Sequence, residues 1–104
     1  MTLPVPVELP LEMLRRAILE PNTHAQRSFT KTAFALAAEA AEMVESDAAI
    51  EAAQLQLQRA LLAFSCSAKS GDEQVAVLAA VQRFAESLES APPSDHARDM
   101  GLNW

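Results

Sequence analysis

The stretch AAIEAAQLQLQRALLAFSCSAK, Ala48 to Lys69, decides the fold. At about 100° per residue its apolar positions separate into two stripes. Ile50, Ala53, Leu57, Leu61, Phe64 and Ala68 form one, and Ala48, Ala52, Leu55, Leu62 and Cys66 form the other, nearly opposite. A surface helix needs one buried face. A helix with two is either central in its own bundle or shared with a partner. Leu55-Gln56-Leu57-Gln58 alternates like a strand, but its Ala-, Leu- and Gln-rich flanks favour helix. Ser46 and Asp47 cap the start of this helix, and Gly71 reads as the stop beyond its end.

Composition extends the same argument to the rest of the chain. The 104 residues make one domain, half of them hydrophobic, which is enough for a core of modest stability. Alanine occurs 21 times and glycine twice. Alanine is the best helix former and glycine among the worst, so helix is expected throughout the middle. Valines cluster only at Val5–Val7 and Val75–Val81, too few for a sheet.

Upstream of the central stretch, Phe29, Ala33, Leu36, Ala40 and Met43 make a helical stripe, widened by Phe34, Ala37, Ala41 and Val44. Arg27, Lys31, Glu39, Glu42 and Glu45 hold the opposite face. Thr23 and Gln26 have the spacing of a capping box at its start. A shorter leading helix is predicted from Pro10 to Glu20 on a stripe of Leu11, Leu14 and Ile18 with the neighbouring Met13 and Ala17, closed by Pro21. Downstream, a helix beginning at Ser70 or Asp72 places Val75, Val77, Leu78, Val81, Phe84, Ala85 and Leu88 on one broad side and ends at Ala91-Pro92-Pro93. Short connections force antiparallel neighbours. The expectation is an all-α fold: a small antiparallel helical bundle of three to four helices over residues 10–91. An extended N-terminal arm precedes it at residues 1–9, because Pro4, Pro6 and Pro10 disfavour helix before them. A flexible C-terminal tail follows at residues 92–104.

The chemical inventory is sparse. Nucleophilic catalysis needs a nucleophile, a base and an orienting group in reach of one another. Cys66 lies mid-helix among alanines and leucines, where it acts as a small hydrophobe. No phosphate-binding glycine loop or metal-spaced His/Cys set is present. Asp95, His96 and Asp99 lie in the expected tail, which would pre-organise nothing. The chain is therefore expected to be no enzyme, with no catalytic residue, no cofactor and no metal. A net charge of −6 opposes binding to nucleic acid or anionic membranes. The N-terminus has no secretory pattern, and no apolar run approaches the roughly 18 residues of a membrane span. A bacterial, cytoplasmic protein is expected.

His24-Ala25-Gln26-Arg27-Ser28 resembles a loose form of the histidine phosphotransfer pattern, in which an exposed histidine is followed by a basic residue at +3 and a small one at +4. That resemblance implies a four-helix bundle with His24 as phosphoryl acceptor. The family usually carries Lys and Gly where this chain has Arg27 and Ser28.

The leading expectation for function is a non-catalytic protein–protein interaction module, a small adaptor, chaperone or regulatory subunit, acting by helix-face packing. The partner-binding residues would be Leu55, Leu62 and Cys66 on the second stripe, with Met100, Leu102 and Trp104 at the C-terminal end. A homodimer is expected on the same stripe. The alternatives are phosphotransfer at His24 and a structural subunit of a larger assembly.

Overall fold

The computed structural model describes residues 3–19, 26–66, 71–89 and 91–102, with residues 26–28 and 66 described by backbone alone. Five helices run in order among them: α1 Val5–Leu19, α2 Gln26–Glu42, α3 Ala48–Cys66, α4 Gly71–Leu88 and the short α5 Asp95–Asp99. The fold is an all-α helical bundle. The one β-type pairing among the described residues is an isolated bridge between Val44 and Pro93.

The four long helices form a closed ring. α1 packs on α2 and α4, and α3 packs on α2 and α4, so α1 and α3 lie across the diagonal. Cross-helix contacts fix the directions. Phe29 at the start of α2 meets Phe64 at the end of α3, with ring centroids 5.6 Å apart in an edge-on arrangement. Beside them, the Thr30 and Ser65 hydroxyls share a hydrogen bond of 2.6 Å. At the same end of the bundle, the Gln74 amide of α4 donates to the Ile18 carbonyl at the end of α1 over 3.0 Å. That carbonyl is one of the last four of its helix, which no intrahelical donor reaches. The ring therefore runs up, down, up, down.

The core is the apolar stripe of each helix. It holds Val7, Leu11, Leu14 and Ile18 from α1 and Phe29, Ala33, Leu36, Ala37 and Ala40 from α2, followed by Met43 and Val44. α3 adds Ile50, Leu57, Leu61 and Phe64, and α4 adds Val77, Ala80, Val81, Phe84, Ala85 and Leu88. Asp47 caps α3 as expected: its carboxylate accepts from the Ile50 backbone N–H at 2.9 Å. Val75 differs from expectation. It stands on the outer side of α4, two residues out of phase with Val77, and is exposed. Gly71 is the first residue of α4 rather than a stop after α3, and its backbone does not take the left-handed conformation.

Both ends of the chain differ from expectation. The prolines predict an extended arm over residues 1–9, of which 1 and 2 lie outside the described residues, but helix begins at Val5. The Pro4 carbonyl accepts from the Val7 and Glu8 backbone N–H groups at 3.0 and 2.9 Å. Pro6 sits in the first turn, where its missing donor costs nothing. Pro10 is the real obstacle, worth about 3 kcal/mol inside a helix. Against it stands burial of Val7, in phase with Leu11, Leu14 and Ile18, at about 1.5–3 kcal/mol, and burial of Pro10 itself. The two effects are comparable, and burial of the Pro10 ring tips the balance toward helix.

The C-terminal segment is a brace rather than a flexible tail. Ser94 donates its hydroxyl to the Glu42 carbonyl at 2.5 Å and its backbone N–H to the Met43 carbonyl at 3.1 Å, and Glu45 N–H donates to the Pro92 carbonyl at 2.9 Å. The Ser94 hydroxyl also accepts from the Ala97 N–H at 3.1 Å, which starts α5. Beyond α5, Gly101 N–H donates to the Arg98 carbonyl and Leu102 N–H to the Ala97 carbonyl, both at 2.9 Å. That pair of bonds is a Schellman turn, and it needs a residue at positive φ, supplied by Gly101 at +80°. The turn folds Leu102 back against the core beside the fully buried Ala97.

Candidate protein-docking surface

On α3 the two stripes have opposite fates. The first is sealed: Ile50, Leu57, Leu61 and Phe64 are almost completely buried. The second faces outward, with Ala48, Ala52, Leu55 and Leu62 exposed. Leu55 and Leu62 each leave 48% of their surface open, two turns apart on one line. The short leading helix does not cover them, because α1 lies across the ring and spends its buried stripe on α2 and α4. Single exposed leucines are ordinary, and two in line on a helix whose opposite face is filled make this the candidate contact surface.

Charge on α3 is confined to Glu51 and Arg59. Both are exposed and flank Leu55, one turn before it and one turn after it. Glu51 accepts a long hydrogen bond from the Ser46 hydroxyl at 3.4 Å. Neither Glu51 nor Arg59 forms an ion pair among the described residues.

A second apolar row faces outward on α1, and it takes Met13, which the sequence assigns beside the buried stripe of Leu11, Leu14 and Ile18. Val5, Leu9 and Met13 on α1 follow one another at four-residue spacing, and each is more than half exposed. The prolines at 4, 6 and 10 mask this spacing in the sequence. Its charges are already engaged within the helix: Arg15 pairs with Glu8 at 2.9 Å and Glu12 at 3.5 Å, and Arg16 pairs with Glu12 at 3.5 Å. α1 and α3 thus carry similar apolar rows but differ in charge that remains available to a partner.

At the C-terminal end, Met100 is exposed at the cap of α5, while Leu102 is half-buried against its own core. The structure therefore does not bring Leu102 to an outward face together with Leu55 and Leu62. Trp104 and His24 lie outside the described residues, as does the Cys66 side chain.

Polar groups inside the bundle are committed to packing. Among the described residues, no buried side-chain nitrogen or oxygen lacks a hydrogen-bond partner. No group of three or more His, Cys, Asp and Glu side chains among them converges on a metal-sized site. Asp95 instead pairs with Arg98 at 3.5 Å, and Arg98 approaches Glu45 at 3.9 Å, a contact that adds little at this exposure. No described helix is long and apolar enough to cross a membrane. Compared with protein-family models, curated proteins and solved structures, the chain gives no match.

Proposed function

We propose that this chain is a non-catalytic protein–protein interaction module, of the adaptor, chaperone or regulatory-subunit kind, that binds through the outward face of α3. One observation carries it: Leu55 and Leu62 stand open on a helix whose opposite face is already full. The scaffold supports that use. Helices hold a docking face more rigidly than loops do, and the apolar stripes of all four long helices fix the orientation of α3. Met100 adds an exposed apolar side chain at the other end of the chain.

The test is site-specific photo-crosslinking in cells that naturally make the protein. A crosslinker at position 55 or 62 is expected to give a discrete adduct that one at exposed Gln82 on α4 does not. Equal labelling at all three positions would overturn the assignment.

The α1 row favours a second reading, a structural subunit with neighbours on two opposite sides. Val5, Leu9 and Met13 face away from α3, so such a subunit would be contacted there as well. A crosslinker at Leu9 then captures a second, different adduct, and its absence removes this reading.

A further inference from the structure

We infer that the outward face of α3 docks a second copy of this chain, antiparallel to it, with the twofold axis passing beside Leu55. The inference rests on the docking role proposed above and names the occupant. A twofold interface is self-complementary: whatever residue i meets on the partner, its symmetry mate meets in return. α3 has that property in one register. Its only charges, Glu51 and Arg59, lie four residues before and four residues after Leu55, about 6 Å along the axis at roughly 1.5 Å per residue. Antiparallel pairing centred on Leu55 sets Glu51 against the partner's Arg59, and Arg59 against the partner's Glu51. The same operation sets Leu62 over the partner's Ala48, seven residues to either side, so large side chains fall on small ones. Leu55 meets its own mate at the centre.

Competing registers lose this match. A parallel pair faces Glu51 with Glu51 and Arg59 with Arg59. An antiparallel pair that stacks Leu55 on the partner's Leu62 centres between Gln58 and Arg59, which draws the two arginines together and leaves Glu51 opposite Cys66. Charges flanking an apolar seam set orientation and register in paired helices in this way. α1 has no equivalent, because its arginines already hold its own glutamates.

Size sets the strength. The 19 residues of α3 make a helix about 28 Å long and about 10 Å wide, a face of roughly 300 Å², below the roughly 800 Å² per partner of a standard stable interface. The pair is accordingly weak, reversible and dependent on concentration.

Charge reversal tests the register directly. Glu51→Arg and Arg59→Glu are made separately in the full chain, and self-association is followed by sedimentation equilibrium from micromolar to millimolar protein. Circular dichroism verifies that both variants keep the helical fold of the parent. Wild type is expected to dimerise with rising concentration. Each single variant is expected to dimerise about five- to tenfold more weakly, because both symmetric contacts turn repulsive. An equimolar mixture of the two variants restores both pairs and is expected to associate as strongly as wild type, as a heterodimer. A wild type that stays monomeric at millimolar concentration overturns the inference. So do single variants that associate like wild type, or a mixture no stronger than its components. If the wild type is monomeric while crosslinkers at 55 and 62 still capture another protein, the second copy is excluded and the docking role stands. If they capture nothing, both fall.

Discussion

Replacing Ser94 by alanine tests whether the C-terminal segment braces the bundle. The hydroxyl does two things in the structure: it accepts from the Ala97 N–H at 3.1 Å to start α5, and it donates to the Glu42 carbonyl at 2.5 Å. Loss of an N-cap hydroxyl costs about 1 kcal/mol. The bond to Glu42 is exposed, so water replaces much of it and its loss adds only about 0.5 kcal/mol. The expected total is about 1.5 kcal/mol. A shift of 1 kcal/mol moves the Tm of a domain this size by roughly 4–8 °C, so Ser94→Ala should melt about 6–12 °C lower. The assay is thermal unfolding followed by circular dichroism. Ser94→Asp separates the two roles, because aspartate accepts at the N-cap but cannot donate to Glu42. It should fall between wild type and the alanine variant. Ser46→Ala, which removes only the long exposed contact to Glu51, is the control and should melt like wild type. An unchanged Tm for Ser94→Ala would refute the brace, as would an aspartate variant that melts like wild type, and an aspartate variant no better than alanine would refute the N-cap role.

The two glycines should respond with opposite signs. Neither has an atom within 4 Å of where a Cβ would go, so backbone conformation alone decides. Gly101→Ala meets a φ of +80° and should cost about 1 kcal/mol by urea unfolding, whereas Gly71→Ala in α4 should be neutral or stabilise by about 0.4–1 kcal/mol. Phe64→Ala removes a fully buried ring and its edge contact with Phe29, and should destabilise by about 3–5 kcal/mol. Paired with Phe29→Ala in a double-mutant cycle, it should return a coupling of about 0.5–1.5 kcal/mol.

Much of the bundle was legible because helical phase is a strong signal. Ile50, Leu57, Leu61 and Phe64 of the first α3 stripe, the Phe29–Met43 stripe and the Val77, Val81, Phe84 and Leu88 set become core, and Asp47 caps α3; Ala68 lies outside the described residues. The misreadings have local causes. Each proline at 4, 6 and 10 argues locally against helix, while Val7 is in phase with Leu11, Leu14 and Ile18. Phase therefore outweighed proline chemistry, and the outward row of Val5, Leu9 and Met13 was hidden with the helix that carries it. At the other end, Ser94-Asp95 is a helix start and Gly101-Leu102 a Schellman signature. A five-residue helix carries no periodicity, so neither signal stands out in the sequence. That Ser94 would supply partners to the end of α2, fifty residues away, is a tertiary fact that no local pattern encodes. The outward leucines of α3 were legible from periodicity. Their exposure depends on α1 lying across the ring, which the sequence alone leaves open.

Self-association through the outward face of α3 is tested most directly by methyl NMR of the full chain over a dilution series from millimolar to micromolar protein. The account predicts that the Leu55 and Leu62 methyl signals move with concentration, while those of Val5, Leu9 and Met13 on α1 and of buried Leu57 stay fixed. Signals that stay fixed throughout, or shifts confined to the α1 row, would contradict it.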